Sequence, residues 1–278
     1  MLLGMSSDRD LNIVIMVTEE PLYINPFIKR IIEAIPSDIK RIYIVKGTVV
    51  RGKRTSEKIA YLVTLGVISG PLHLLKRAIT AGGFKILNAV PYLKHRNPLS
   101  VATAAKQLGI PVTYVEDIHS EAFLSHLKRE KPTIIINQAQ AILTEEFLSI
   151  PEIGCLNRHC ALLPKYRGLL APFWTYLNGE KESGVSIHFI DKEIDNGPIL
   201  VQKRVNIERF DTFDSVLEKD FGLAPDAMLE AIDLIRRGDY SEHLIPNDKS
   251  IATYFSKPTL SDAFRYRRVM LSRWFHGE

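Results

Sequence analysis

Cysteine is scarce in this 278-residue chain. Cys155 and Cys160 are the only two, which excludes a disulfide framework and suits a reducing compartment. Neither sign of charge dominates: 36 Lys+Arg against 32 Asp+Glu leave a formal charge of +4, too little by itself to imply a nucleic-acid partner. The apolar h-region of a secretory signal is missing, because Met1-Leu2-Leu3-Gly4 runs at once into Ser6, Ser7, Asp8, Arg9 and Asp10. The expectation is a cytoplasmic protein with a flexible N-terminus over residues 1–10. The uncharged run Ile59 to Leu75, between Lys58 and Lys76, falls short of the roughly 20 apolar residues of a transmembrane helix and is broken by Gly66, Gly70 and Pro71. It reads as a packed helix pair, with a dimer contact or an interfacial segment as the alternatives, and not as a transmembrane segment. Gly-x-Gly-x-x-Gly is absent after the first strand, where Val17-Thr18-Glu19-Glu20-Pro21 stands, and no Walker loop occurs. Ordinary nicotinamide and ATP chemistry is thereby disfavoured.

What is present is a globular composition, 46% hydrophobic and 24% charged, long enough for one large core with a modest appendage. Strand and helix signals alternate. Leu11–Thr18, Arg41–Lys46, Pro111–Val115, Thr133–Asn137 and Gly154–Asn157 read as short buried strands, with helices over 21–34, 100–108 and 121–131 and a short one near 144–149. Residues 48–98 interrupt this rhythm as a helical insertion, led in by Arg51, Lys53, Arg54 and Lys58. Later come a helix through Trp174 to Leu177, strands over 185–190 and 199–205, and a long amphipathic helix over 213–237. The fold class is α/β, a mostly parallel sheet in a domain over 11–206, followed by a C-terminal helix and extension over 207–278. In such sheets ligands bind beyond the carboxyl ends of the strands.

Three polar segments lie there: Asn137-Gln138-Ala139-Gln140, Asn157-Arg158-His159-Cys160, and His188 to Pro198. Asn157 and His159 are two apart, so an extended backbone points both to one side. An amide beside an imidazole suits addition to a carbonyl, the amide facing the oxyanion and the imidazole moving the proton. A carboxylate such as Asp195 would hold the imidazole's tautomer or raise its pKa. The same Asn-x-His is also an ordinary capping and turn feature. Cys155 and Cys160 beside His159 lack a fourth ligand at metal spacing, so no metal is expected, and Cys160 is poorly placed to act as a nucleophile on its sequence neighbour.

Read together, Asn157-Arg158-His159-Cys160-Ala161-Leu162-Leu163-Pro164-Lys165-Tyr166-Arg167-Gly168, Gly179-Glu180, Gly184-Val185-Ser186-Ile187-His188 and Asp195-Asn196-Gly197-Pro198-Ile199 resemble the formyltransferase family that uses 10-formyltetrahydrofolate. The resemblance implies a Rossmann-like fold of the formyltransferase type and a folate-dependent N-formyltransferase. It also implies a catalytic trio of Asn157, His159 and Asp195, in which Asn157 and protonated His159 stabilise a tetrahedral oxyanion and Asp195 supports the histidine. It places His188 near that aspartate, and makes Gln138, Ala139, Gln140, Ala141, Ile142 and Leu143 one wall of the pterin pocket and Asp191, Lys192, Glu193 and Ile194 another. Arg158, Cys160 and Ala161 depart from the usual pattern. Arg158 is read equally as a contact to an anionic substrate or as a solvent-facing side chain, and Tyr166 and Arg167 as contacts to substrate or supports behind it.

The acceptor is a small-molecule primary amine on this reading, an amino-sugar nucleotide before a hydroxyornithine-like amino acid. Glu19 and Glu20 stand where glycinamide ribonucleotide enzymes have a phosphate loop, and would repel a phosphate. Nucleic acid is not expected, and methionyl-tRNA is a minority alternative, because 71 residues after Ile207 are few for the appendage those enzymes carry. A 10-formyltetrahydrofolate hydrolase or a folate-binding protein is the non-transferase alternative, and a homodimer is possible. Arg265, Arg267, Arg268 and Arg273, on a helix capped by Thr259 or Ser261, read as a solvated face or a diphosphate contact. Tyr166 and Trp174 read as stacking partners for a base or as packing anchors.

Overall fold

Five consecutive buried residues, Ile13–Val17, form strand β1 at the centre of the sheet. Side chains alternate along it. Val14 and Met16 join one hydrophobic cluster while Ile13, Ile15 and Val17 join the other, as a strand covered on both faces requires. A computed structural model describes residues 9–46, 55–94 and 96–276. The other strands are β2 (Ile39–Val45), β3 (Val112–Val115), β4 (Ile134–Gln138), β5 (Gly154–His159), β6 (Arg167–Gly168), β7 (Glu182–Phe189), β8 (Ile199–Asn206) and β9 (Tyr254–Phe255). The helices are α1 (Ile24–Ala34), α2 (Thr55–Ala89), α3 (Pro91–Lys94), α4 (Val101–Gln107), α5 (Glu121–Glu130), α6 (Glu145–Leu148), α7 (Ala171–Leu177), α8 (Phe213–Arg237) and α9 (Leu260–His276). Residues 1–8 of the expected flexible terminus, and the basic positions Arg51, Lys53 and Arg54, lie outside the described residues.

The seven-stranded sheet has the order β3-β2-β1-β4-β5-β7-β8. Its first five strands are parallel, and β7 runs antiparallel to both its neighbours, β5 and β8. Helices α1, α4 and α8 cover one face through Phe27, Ile31, Val101, Met228 and Ile232. Helices α5 and α6 cover the other through Phe123, Leu127 and Phe147. The mostly parallel α/β architecture is the one the alternation implied. Helix α8 lies beyond the boundary expected at residue 207, yet its Ala224, Ala227 and Ala231 belong to the same core as the strands. Its ends are set locally by a Thr212–Ser215 capping box and by Gly238 in the left-handed region (φ 81°).

Two differences from the sequence reading matter for the site. Strand β5 runs two residues further than expected, to His159, because the antiparallel neighbour β7 pairs Asn157 with His188 and His159 with Ser186. A small second sheet pairs β6 with β9 in parallel, Arg167 with Tyr254 and Gly168 with Phe255. Two-residue strands carry no periodic signal, so neither was visible in the sequence.

The insertion is helical, as expected, but only partly packed. Thr64, Ile68 and Ser69 of α2 are buried, with Ile68 in a third cluster alongside Phe173, Tyr176, Phe213 and Tyr266. Packing therefore accounts for a minority of its apolar residues, since Ile59, Leu62, Val63, Leu72 and Leu75 remain exposed.

Candidate active site

Asn157 and His159 leave β5 on one side, and the cross-strand partner of Asn157 is His188 on β7. Asp195 comes from the turn between β7 and β8 and faces all three. Its Oδ2 lies 3.4 Å from His159 Nδ1, and its Oδ1 lies 3.7 Å from His188 Nε2 and 3.5 Å from the Asn157 amide nitrogen. The Gly168 N–H donates to Oδ2 at 2.9 Å. The structure thus brings Asn157, His159, Asp195 and His188 into one cluster, as the sequence reading expected.

Hydrogen-bond partners fix the orientation of each ring and amide. His159 Nε2 lies 2.7 Å from the Tyr166 carbonyl, which only accepts, so Nε2 carries a hydrogen and Nδ1 is left facing the carboxylate. His188 Nδ1 lies 2.8 Å from the Phe189 carbonyl and donates to it by the same logic. His188 Nε2 then accepts from the Asn157 amide at 3.2 Å. Asn157 Oδ1 accepts from Gln138 Nε2 at 2.9 Å, which turns the Asn157 NH2 toward Asp195 and His188. Of its two hydrogens, the one directed at Asp195 spans the longer contact and can be redirected to a ligand.

Burial opposes charge at this cluster, and the cluster answers it. Burial alone would raise the Asp195 pKa, but the two imidazoles and the Gly168 N–H more than offset that and hold the carboxyl well below the usual carboxylate range. For His159 the balance is reversed: burial lowers its pKa against the pull of Asp195. The resemblance implied a protonated His159. Asp195 Oδ2 faces Nδ1 at 3.4 Å, placed to accept from that nitrogen whenever the ring is protonated.

The backbone strain that delivers Asp195 is held by Asn247 and Thr253, which the sequence reading did not single out, together with Arg167. Asp195 (φ 49°) and Tyr166 (φ 61°) are both in the left-handed region. Asn247 donates through Nδ2 to the carbonyls of Asp195 and Gly197, and Thr253 accepts from the Tyr166 N–H. Arg167, buried, clamps Asn196 Oδ1 at 2.9 Å and Asn247 Oδ1 at 2.6 Å, so it braces the turn and does not reach outward as a substrate contact. A Cβ at Gly168 would collide with the Phe255 carbonyl and one at Gly197 with that of Phe189, so both close approaches require glycine.

Several other expectations resolve into support. Arg158 neither points at solvent nor reaches outward. Its Nε donates to Gln138 Oε1 at 3.1 Å, its guanidinium lies 4.0 Å from the Phe221 ring centroid, and it touches Cys160 Sγ. Arg158 therefore sits at the head of a chain through Gln138 and Asn157 to His188. Burial pushes the Cys155 and Cys160 thiols up to about 12, which leaves Cys160 without nucleophilic character. Tyr166 and Trp174 both stack on Phe255 and are buried, and the Tyr166 hydroxyl binds Glu180, so they are packing anchors. Arg267 donates to the Val67 carbonyl and Arg273 to that of Glu180, while Arg265 and Arg268 are exposed. Arg158→Met removes the bond to Gln138 while leaving an unbranched side chain against Phe221, and is expected to lower kcat about tenfold with KM for either substrate changing less than about twofold. A larger effect on KM, measured by steady-state kinetics, would place Arg158 on the substrate.

The two segments expected to wall a pterin pocket flank this cluster. Gln138, Ala139 and Leu143 are buried, while Gln140 and Ile142 are exposed. In the other segment Asp191 is half-buried and Lys192, Glu193 and Ile194 are exposed. Ile142 and Ile194, one in each segment, are 78% and 51% exposed. Asp191 is committed to its own turn through the Glu193 N–H and the Asn196 amide. The two carboxylates after β1 are likewise occupied. Glu20 accepts from the N–H groups of Leu22, Tyr23 and Ile24 at the start of α1, and Glu19 from the hydroxyl of Ser100 and the N–H of Val101 at the start of α4.

The formyl transferase family profile matches residues 92–232, half of the chain, and covers the whole cluster. This protein belongs to the formyl transferase family. It is 38% identical over 167 residues to the methionyl-tRNA formyltransferase of Kosmotoga olearia, a match spanning 59% of this chain and 53% of that protein. The chain spans about half the length of the curated relatives it matches. Among solved structures it resembles glycinamide ribonucleotide transformylase 1 of Symbiobacterium toebii, with a TM-score of 0.55 at 15% identity over 82% of this chain and 88% of that one. It also resembles the N-formyltransferase of Helicobacter canadensis, solved with folinic acid and dTDP-3-aminofucose, with a TM-score of 0.56 at 16% identity over 96% of this chain and 81% of that one. At such identities the likeness is one of fold, and it agrees with the formyltransferase-type fold read from the sequence.

Proposed function

We propose that this protein transfers a formyl group from 10-formyltetrahydrofolate to a primary amine. The observation that carries the reading is the convergence of the Asn157 amide, the His159 imidazole and the ionised Asp195 carboxylate on one point beside two exposed apolar walls. The bound folate supplies the formyl carbon. Asn157, its amide held by Gln138, donates to the carbonyl oxygen as that oxygen gains negative charge. His159 Nδ1 takes a proton from the attacking amine and returns it to the folate nitrogen as the bond between that nitrogen and the formyl carbon breaks, Asp195 Oδ2 stabilising the imidazolium in between. The Tyr166 carbonyl keeps the ring from turning while the proton arrives. Ile142 and Ile194 would hold the flat ring of the donor, with the backbone of 139–143 supplying polar contacts.

For the acceptor, our first choice is an amino-sugar nucleotide. It is supported by the likeness, over 96% of this chain, to an N-formyltransferase solved with dTDP-3-aminofucose. A second reading, the amine of methionyl-tRNA, is favoured by the sequence matches to methionyl-tRNA formyltransferases. Calorimetric titration with 5-formyltetrahydrofolate, a stable donor analogue, separates the two. Saturable folate binding strengthened by an amino-sugar nucleotide is the expected result. Folate binding strengthened only by methionyl-tRNA would select the second acceptor, and absence of folate binding would overturn the donor assignment.

A further inference from the structure

Helix α2 leaves a long apolar face without a partner. It is really two helices, because Gly70 (φ 79°, ψ 169°) breaks it just before Pro71. Both halves are anchored where they meet: the Ser69 hydroxyl and Arg77 bind Asp214, Lys76 pairs with Glu218, and Arg267 donates to the Val67 carbonyl. In the second half, Pro71–Ala89, no residue is buried. Leu72, Leu75, Ile79 and Ile86 are 75%, 57%, 65% and 65% exposed and recur at helical spacing, forming one apolar stripe. An exposed stripe of that kind marks an interaction surface.

Charge identifies what covers it. From Lys58 to Val115 the sequence contains no Asp or Glu and seven Lys and Arg. Lys85, Lys94 and Arg96 are exposed near the stripe's end. A two-fold dimer through this face would set the same acid-free, basic segment against itself. An anionic lipid surface neutralises it instead and takes the apolar stripe into its headgroup–acyl boundary. By length and composition Ile59–Ala89 could cross a membrane, but its break at Gly70 and its ties to Asp214 and Arg267 hold it along the protein.

We propose that the second half of α2 docks this protein on the surface of an anionic bilayer, lying in the interface with Leu72, Leu75, Ile79 and Ile86 inserted and Lys85, Lys94 and Arg96 among the headgroups. The test is sedimentation of the full chain with vesicles of phosphatidylcholine alone and of equimolar phosphatidylcholine and phosphatidylglycerol. The protein is expected to sediment with the phosphatidylglycerol vesicles at least about tenfold more tightly, and to be released by salt. The exposed triple variant Leu72→Glu, Leu75→Glu, Ile79→Glu is expected to lose sedimentation while keeping the wild-type melting temperature. Lys85→Glu alone is expected to weaken the phosphatidylglycerol preference. Wild-type protein remaining in the supernatant with both vesicles would overturn the proposal. So would equal sedimentation of the triple variant, or a wild-type dimer that the triple variant converts to monomer without any vesicle binding.

Discussion

Asp195→Asn is expected to lower formyl-transfer turnover by at least about a hundredfold while folate affinity and folding are retained. The substitution is isosteric, and an amide oxygen can still accept from the Gly168 N–H that now meets Oδ2. What disappears is the negative charge 3.4 Å from His159 Nδ1. His159 is already depressed by burial, with Asp195 supplying the opposing pull. Without that pull the imidazolium formed on proton transfer would stand buried beside a neutral amide. His159→Ala should produce a loss of the same order by removing the proton's destination itself. Turnover within about threefold of wild type in either variant, measured at saturating donor and acceptor, would remove these residues from the chemistry.

Asp220→Asn is expected to abolish most of the loss of stability that the wild-type protein shows as pH rises from about 4 to 9. Asp220 is fully buried behind the site, its Oδ2 accepts from the Ser183 hydroxyl, and its Oδ1 has no protein hydrogen-bond partner. Burial pushes its carboxyl up to about 8, partly offset by Ser183 and by the charges of Arg158 and Lys219. The folded-state value is above the unfolded one, so the folded protein binds the proton more tightly. Its contribution is fully present below the unfolded carboxylate range and is lost as pH climbs through about 8. The difference between the two ends of that window is on the order of several kcal/mol. Asn keeps the Ser183 contact and never ionises. Denaturant unfolding of both proteins at pH 5 and pH 9 should show similar stability at the lower value and a more stable variant at the higher. Parallel pH dependence in the two would show that Asp220 is ionised throughout.

The placing of Asn157 and His159 was legible from short-range information, and Asp195 came in through the family resemblance. Strand alternation puts Asn157 and His159 on one side, and the turn carrying Asp195 has a compact motif around it. The props behind the trio were not legible. Asn247 grips the carbonyl of Asp195 from 52 residues away, and Thr253 holds Tyr166 from 87 away. Neither position bears a local pattern that announces such a contact. Arg158 was ambiguous for a related reason. Two of its partners, Gln138 on β4 and Phe221 on α8, come from other elements, and only the fold brings them to it. The mostly parallel sheet followed from alternating strands and helices, whereas the β6–β9 pair, two residues on each side, gave no periodicity to read. The uncharged run beginning at Ile59 was the reverse case. Its composition fits a packed helix and a lipid-facing one equally well, and the exposure of Leu72, Leu75 and Ile79 decides against packing alone.

The most direct measurement follows the formyl carbon itself. The protein is incubated with 10-formyltetrahydrofolate carrying a carbon-13 formyl group, together with a panel of amino-sugar nucleotides and methionyl-tRNA, and the products are resolved by mass spectrometry. The account predicts that the label appears as an N-formyl group on one acceptor, with tetrahydrofolate released in equal amount, and that Asp195→Asn suppresses both products together. Label released as free formate at the same rate with and without amines would contradict transfer and make the protein a hydrolase built on the same trio.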